Sequence, residues 1–125
     1  MIIDTDVIVW SMRGNQNAAQ AITENQPFSI TGMTYMELIK GARSKAEQNA
    51  IISEINRMGI QVLHASEEQS ALAITLLKDN HLSNSLDIAD ALNAAIAIST
   101  GTELLSSNKK HYGPISGLKY REFQP

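Results

Sequence analysis

Apolar and polar positions follow two rhythms along this chain. Short apolar runs bounded by polar residues read as strands, and longer stretches with apolar residues three or four apart read as helices. Ile2-Ile3 is the first run, and it ends abruptly at Asp4-Thr5-Asp6. A buried strand has this form, and polar residues at its end suit the carboxyl edge of a parallel sheet. Residues 7–12 are apolar again and begin a helix; the alanine-rich residues 17–23 form another, stopped by Pro27. Phe28-Ser29-Ile30 is the second strand. Thr34-Tyr35-Met36-Glu37 has the S/T-x-x-E spacing of a helix start, and Gly41 ends that helix. Residues 45–58 place Ala46, Ala50, Ile51, Ile55 and Met58 at helical spacing before Gly59, and residues 60–63 are a third strand. Ser66-Glu67-Glu68-Gln69 opens a helix that turns Ala73, Ile74 and Leu77 inward. Residues 81–85 read as a polar loop, and residues 87–100 as an alanine-rich helix ended by Gly101. Glu103-Leu104-Leu105 is a fourth strand and Lys119-Tyr120-Arg121 a short fifth.

Strands alternating with helices imply an α/β fold: three α/β/α layers around a central parallel sheet of four to five strands. At 125 residues the chain is one domain, residues 1–125, and 43% hydrophobic residues supply a single core. Ligands of such sheets sit beyond the carboxyl ends of the strands. No apolar run approaches a membrane span. Met1-Ile2-Ile3-Asp4 lacks a basic stretch followed by an apolar core, so the expected location is the cytoplasm.

The chemistry is narrowed by what is missing. With no cysteine there are no disulfides, thiolate metal sites or cysteine nucleophiles. No two of His64, His81 and His111 share zinc-ligand spacing. Ser106 and Ser107 lack a nucleophile-elbow context. A net charge of −3 means that any nucleic-acid affinity comes from a local basic patch and is sensitive to salt.

Acidic residues remain. Asp4 ends the first strand, Glu37 lies in the first turn of a helix after the second, and Asp87 and Asp90 open the long alanine-rich helix. Acids from distant parts of the sequence converge on one edge of a parallel sheet, where they repel unless a cation lies between them. Hard oxygen ligands suit Mg²⁺ or Mn²⁺, which lower the pKa of bound water and stabilise a phosphoryl transition state. Each acid also has a plainer reading. Glu37 fits the N3 place of a capping box, and Asp87 fits an N-cap with Asp90 adding charge to the helix start. Asp6 fits a cap or a supporting group. Asp4 is harder to dismiss, because a charge beside a buried strand is costly without a role.

Taken together these segments resemble a family. Ile3-Asp4-Thr5-Asp6-Val7-Ile8 is similar to the opening I-D-T-N/D-V-I/L of the PIN-domain nucleases, and of the VapC toxins among them. Met36-Glu37-Leu38-Ile39-Lys40-Gly41 resembles the family's E-L-x-x-G. Ile88-Ala89-Asp90-Ala91-Leu92-Asn93-Ala94-Ala95 resembles its I-x-D-A-L-I-A-A, with Asn93 in a usually aliphatic place. Residues 104–112 resemble its closing L-V/L-T-x-N/D-x-x-D/H-F, with Ser106 replacing the commoner threonine but keeping the hydroxyl. The resemblance covers nearly the whole chain. It implies a metal-dependent endoribonuclease in which Asp4, Glu37 and Asp90 hold Mg²⁺ or Mn²⁺ and Asn108 positions water or an ion. It selects Asp90 over Asp87 as the family acid. Thr5, Asp6, Asp87 and Ser106 are supporting candidates; Arg13, Lys40, Arg43, Lys45, Lys109 and Lys110 are candidate RNA phosphate contacts. It further implies an RNA substrate, a cognate antitoxin laid across the acidic cleft, and a homodimer. Two rival readings stand beside it. Asp4-Thr5-Asp6-Val7 also matches the D-x-D-x-T/V opening of haloacid-dehalogenase-like phosphatases, with Asp4 as nucleophile. An inactive RNA-binding module of the same fold is the other.

Overall fold

The computed structural model describes residues 1–125. The first strand, β1 (Ile2–Ile3), is two residues long and fully buried. It leads directly into α1 (Thr5–Met12), followed by α2 (Gln16–Glu24), β2 (Ser29–Thr31), α3 (Gly32–Gly41), α4 (Lys45–Arg57) and β3 (Gln61–Leu63). Then come α5 (Glu67–Asn84), α6 (Ile88–Thr100), β4 (Leu104–Ser106), α7 (Lys109–Tyr112) and β5 (Tyr120–Glu122).

All five strands are parallel, in the order β3-β2-β1-β4-β5. Ile2 pairs with Ser29 on one side and Leu104 on the other, so the first strand is the centre of the sheet. One core cluster joins Ile2, Leu104, Tyr112 and the alanine face of α6; the other joins Ile3, Val7, Phe28, Ile30 and Leu105. Ile2 and Ile3 thus serve opposite layers, as the two-residue alternation of a strand requires. Four of the five alanines of α6 (Ala91, Ala94, Ala95, Ala97) are buried in the core they share with Ile2 and Leu104, and their small side chains leave room for α5 to pack closely against α6.

Several expectations change. Residues 81–85 are not a polar loop: α5 continues to Asn84 and ends at Ser85, which has a left-handed φ of 59°. Polar side chains of its last turns bond to the backbone, Asn80 Nδ2 to the Leu76 carbonyl within the helix and His81 Nδ1 to the Leu86 carbonyl just beyond it. Ile74 does not point inward but is 60% exposed; Ala73 is buried as expected, and Leu76 joins it in the core. In α4 only Ile55 is buried, while Ala46 and Ala50 face outward. The helix of Glu37 starts earlier than its capping-box spacing suggests: Thr31, not Thr34, is the N-cap, and its hydroxyl accepts from Thr34 N at 3.2 Å. That removes the capping-box explanation of Glu37. The short α7 has no counterpart in the expected element list.

Candidate functional site at the carboxyl edge of the sheet

Asp4 sits where the strand order reverses, the place at which open parallel sheets leave a crevice. Strand β1 ends and α1 begins with no intervening loop, so Asp4 is also the N-cap of α1: Oδ1 accepts from Thr5 N at 2.8 Å. Asn93 Nδ2 donates to the same oxygen at 3.3 Å, and Ser106 Oγ donates to Oδ2 at 2.8 Å. Asp4 is 7% exposed, and no salt bridge reaches it. Burial, and then the charge of Asp6, push its carboxyl up to about 7; the bonds from Ser106 and Thr5 oppose this, and Asp90 adds to it.

Asp90 approaches from α6. Its backbone N–H is held by the Asp87 carboxylate at 3.0 Å, so Asp87 caps the helix while Asp90 turns inward. Tyr112 donates to Asp90 Oδ1 at 3.1 Å, and His111 Nδ1 lies 2.7 Å from Oδ2. Burial raises the Asp90 pKa, followed by the Asp87 charge, against the pull of His111 and Tyr112. Burial and the charges of Asp4 and Asp90 hold the Tyr112 hydroxyl well above its ordinary pKa, so it stays a neutral donor.

Glu37 is exposed on α3, and Thr5 Oγ1 donates to its Oε1 at 2.9 Å. Thr5 therefore bonds to two acids, to Asp4 through its backbone and to Glu37 through its hydroxyl. Asp6 serves a different end: its Oδ2 accepts from Ser107 N at 2.9 Å and from the Ser107 hydroxyl, tying the segment after β4 to α1. Asn108 N donates to Ser106 Oγ at 3.1 Å, and its amide nitrogen lies 2.9 Å from His111 Nδ1, but it bonds to none of the three acids.

The donor set is all oxygen and suits a hard divalent cation. Asp4 and Asp90 are buried acids whose charged forms are disfavoured, the environment that such an ion relieves. As arranged here, no three carboxylates or imidazoles stand close enough to hold an ion jointly. Asp90 faces His111 and Glu37 faces Thr5.

Of the basic candidates, Arg13 and Arg43 line a groove of about 810 Å³ that also contains Glu37 and runs between α1, α3 and α4 over Ile8, Val9 and Leu38. Lys40 is exposed in the last turn of α3, and Lys45 and Lys110 are exposed too. Lys109 is drawn aside, 3.8 Å from Glu122 of β5. Three residues join the site without being expected there: Asn93, His111 and Tyr112. A signal for Asn93 was available, because it lies three residues after Asp90 in a run of alanines and so shares its helical face.

Against this geometry, comparison with known families places the chain in a class of nuclease-like domains. The PIN domain family model matches residues 1–113. The chain belongs to the PIN-domain family, which decides against the haloacid-dehalogenase-like reading. No protein of curated function matches the sequence. Among solved structures, a toxin–antitoxin complex from Klebsiella pneumoniae is 22% identical, with a TM-score of 0.80 over 94% of this chain and 93% of that one. VapBC-1 from nontypeable Haemophilus influenzae is 21% identical, with a TM-score of 0.77 over 97% and 96%. DNA-bound VapBC from Salmonella typhimurium is 18% identical, with a TM-score of 0.79 over 97% and 96%. At these identities the likeness is one of fold.

Proposed function

We propose that this chain is a divalent-metal-dependent endoribonuclease and the toxin of a toxin–antitoxin pair. One observation carries the chemistry: Asp4 and Asp90, far apart in sequence, are both buried at the carboxyl edge of the sheet with no lysine or arginine to neutralise them. Asp4, Asp90 and Glu37 would hold Mg²⁺ or Mn²⁺, with Asn108 beside them to orient water. When bound, the ion supplies charge neutralisation and an activated water for phosphodiester hydrolysis. The chain's own groups prepare the acids. Ser106 and the Thr5 N–H hold Asp4 in one orientation, and the Thr5 hydroxyl holds Glu37.

The toxin assignment is supported by family membership and by solved complexes described as toxin–antitoxin or VapBC assemblies. The mostly apolar groove beside Glu37 suits an antitoxin segment that is apolar along one face and basic where it meets the acids. A homodimer in the cytoplasm completes the reading.

The test is direct. Purified protein with Mn²⁺ is incubated with tRNA, rRNA and mRNA beside Asp4→Asn and Asp90→Asn, and each form is expressed in growing cells. Wild type cleaves RNA and arrests growth, and both variants do neither. If all RNAs stay intact and wild type behaves as the variants do, the inactive RNA-binding module is the better description.

A further inference from the structure

Asn93 is 1% exposed and stands between the elements that carry the acids. Its Oδ1 accepts from Thr31 Oγ1 at 2.5 Å. Its Nδ2 donates to Asp4 Oδ1 and to Tyr112 OH, each at 3.3 Å. Tyr112 in turn donates to Asp90.

The direction of this chain is fixed by donor inventory. Thr31 Oγ1 already accepts from Thr34 N at the start of α3, so its own proton goes to Asn93. With its oxygen so engaged, the amide presents two N–H donors to the other side. A flipped amide would aim its oxygen at the Asp4 carboxylate and its N–H groups at the Thr31 hydroxyl, losing bonds in a buried place where each unmade bond is costly. An aliphatic residue would leave Asp4 one donor short and break the link to Tyr112.

We propose that Asn93 is a positioning residue. Its amide holds Asp4 and the Tyr112–Asp90 pair at a fixed spacing and ties both to the N-terminus of the helix that carries Glu37. This rests on the metal-dependent reading above: the spacing it sets is that of two acids proposed to share an ion.

Mn²⁺ binding to metal-free protein, measured by titration calorimetry, tests the proposal, with thermal melts and RNA cleavage kinetics alongside. Asn93→Leu is expected to fold and to bind Mn²⁺ about tenfold or more weakly, as loss of a group that orients ligands usually does. Its kcat falls while KM for RNA holds. Thr31 gives a second arm that does not need the Asn93 variant to fold. Thr31→Ser keeps the hydroxyl and Mn²⁺ affinity; Thr31→Val keeps the shape and loses affinity several-fold. A purely packing role predicts the reverse order. Equal Mn²⁺ binding by wild type, Asn93→Leu and Thr31→Val overturns the role of Asn93 alone. A wild-type protein that cleaves RNA without binding Mn²⁺ overturns the metal reading and this proposal with it.

Discussion

His111 Nδ1 lies 2.7 Å from Asp90 Oδ2, so the imidazole occupies one oxygen of an acid proposed to bind metal. Asn108 Nδ2 also lies 2.9 Å from that nitrogen. One ring nitrogen cannot both donate to Asp90 and accept from Asn108; with its proton directed at Asp90, the amide is better placed with its oxygen toward the ring. The imidazole then competes with a cation for Asp90. His111→Ala is expected to bind Mn²⁺ a few-fold more tightly while the metal-free protein loses about 2 kcal/mol, the scale of one hydrogen bond to a charged group. Calorimetry and a thermal melt check both halves. Weaker Mn²⁺ binding would show that the ring supports Asp90 in place.

Asp4 makes stability depend on pH. Its folded-state pKa of about 7 stands above the ordinary 3.8, so between those values the folded state binds more protons than the unfolded chain. Stability from this group therefore falls as pH rises from 3.8 to 7, and the deficit is complete above 7. Asp90, also raised, acts with the same sign. Asp4→Asn should flatten the pH dependence of the metal-free protein and add about 1–3 kcal/mol at pH 8. Melts from pH 4 to 8 measure it. A variant less stable than wild type at pH 8 would contradict the burial argument.

Metal should reverse that deficit. Mn²⁺ at about a hundred times its dissociation constant adds about 2.7 kcal/mol to the folded state, and a chelator removes it. Asp4→Asn combined with Asp90→Asn should melt at the same temperature with and without Mn²⁺. A full Mn²⁺ shift in the double variant would place the ion elsewhere.

Asp87 and Asp90 should separate cleanly although they are one helical turn apart. Asp87→Ala removes the N-cap of α6 and costs about 1 kcal/mol. Its RNA turnover under saturating Mn²⁺ should stay within about twofold of wild type, since surface capping leaves the transition state untouched. Asp90→Asn should cost turnover roughly a hundredfold or more if Asp90 is the ligand proposed above, because ligands of a catalytic ion carry several kcal/mol of transition-state stabilisation. Equal losses in the two variants would make Asp87 part of the site.

Much of this was legible in the residues. Parallel strands, the helices between them and Asp4 at a strand end all follow from apolar runs that stop at polar residues. The strand order was not legible, because no local pattern says that Ile2 pairs with both Ser29 and Leu104. Residues 81–85 misled because a polar helix end and a loop have the same composition. Thr34 misled because the residue that caps α3, Thr31, belongs to β2 by its apolar neighbours and to the helix only by its hydroxyl. Asn93 was visible as a polar residue among alanines, but its role depends on Thr31 and Tyr112, which only the folded chain brings to it.

The central place of β1 also sets the order in which the site comes into being. Asp4, at the end of that strand, emerges from a ribosome long before Ser106, the residue 102 positions later that donates to its carboxylate. A nascent chain stalled at residue 100 already holds Asp4, Glu37, Asp90 and Asn93, yet lacks β4, α7 and β5 and therefore Ser106, His111 and Tyr112. Such a chain has the acids without the framework that joins them. The centre is complete only after its last parallel strands have been made.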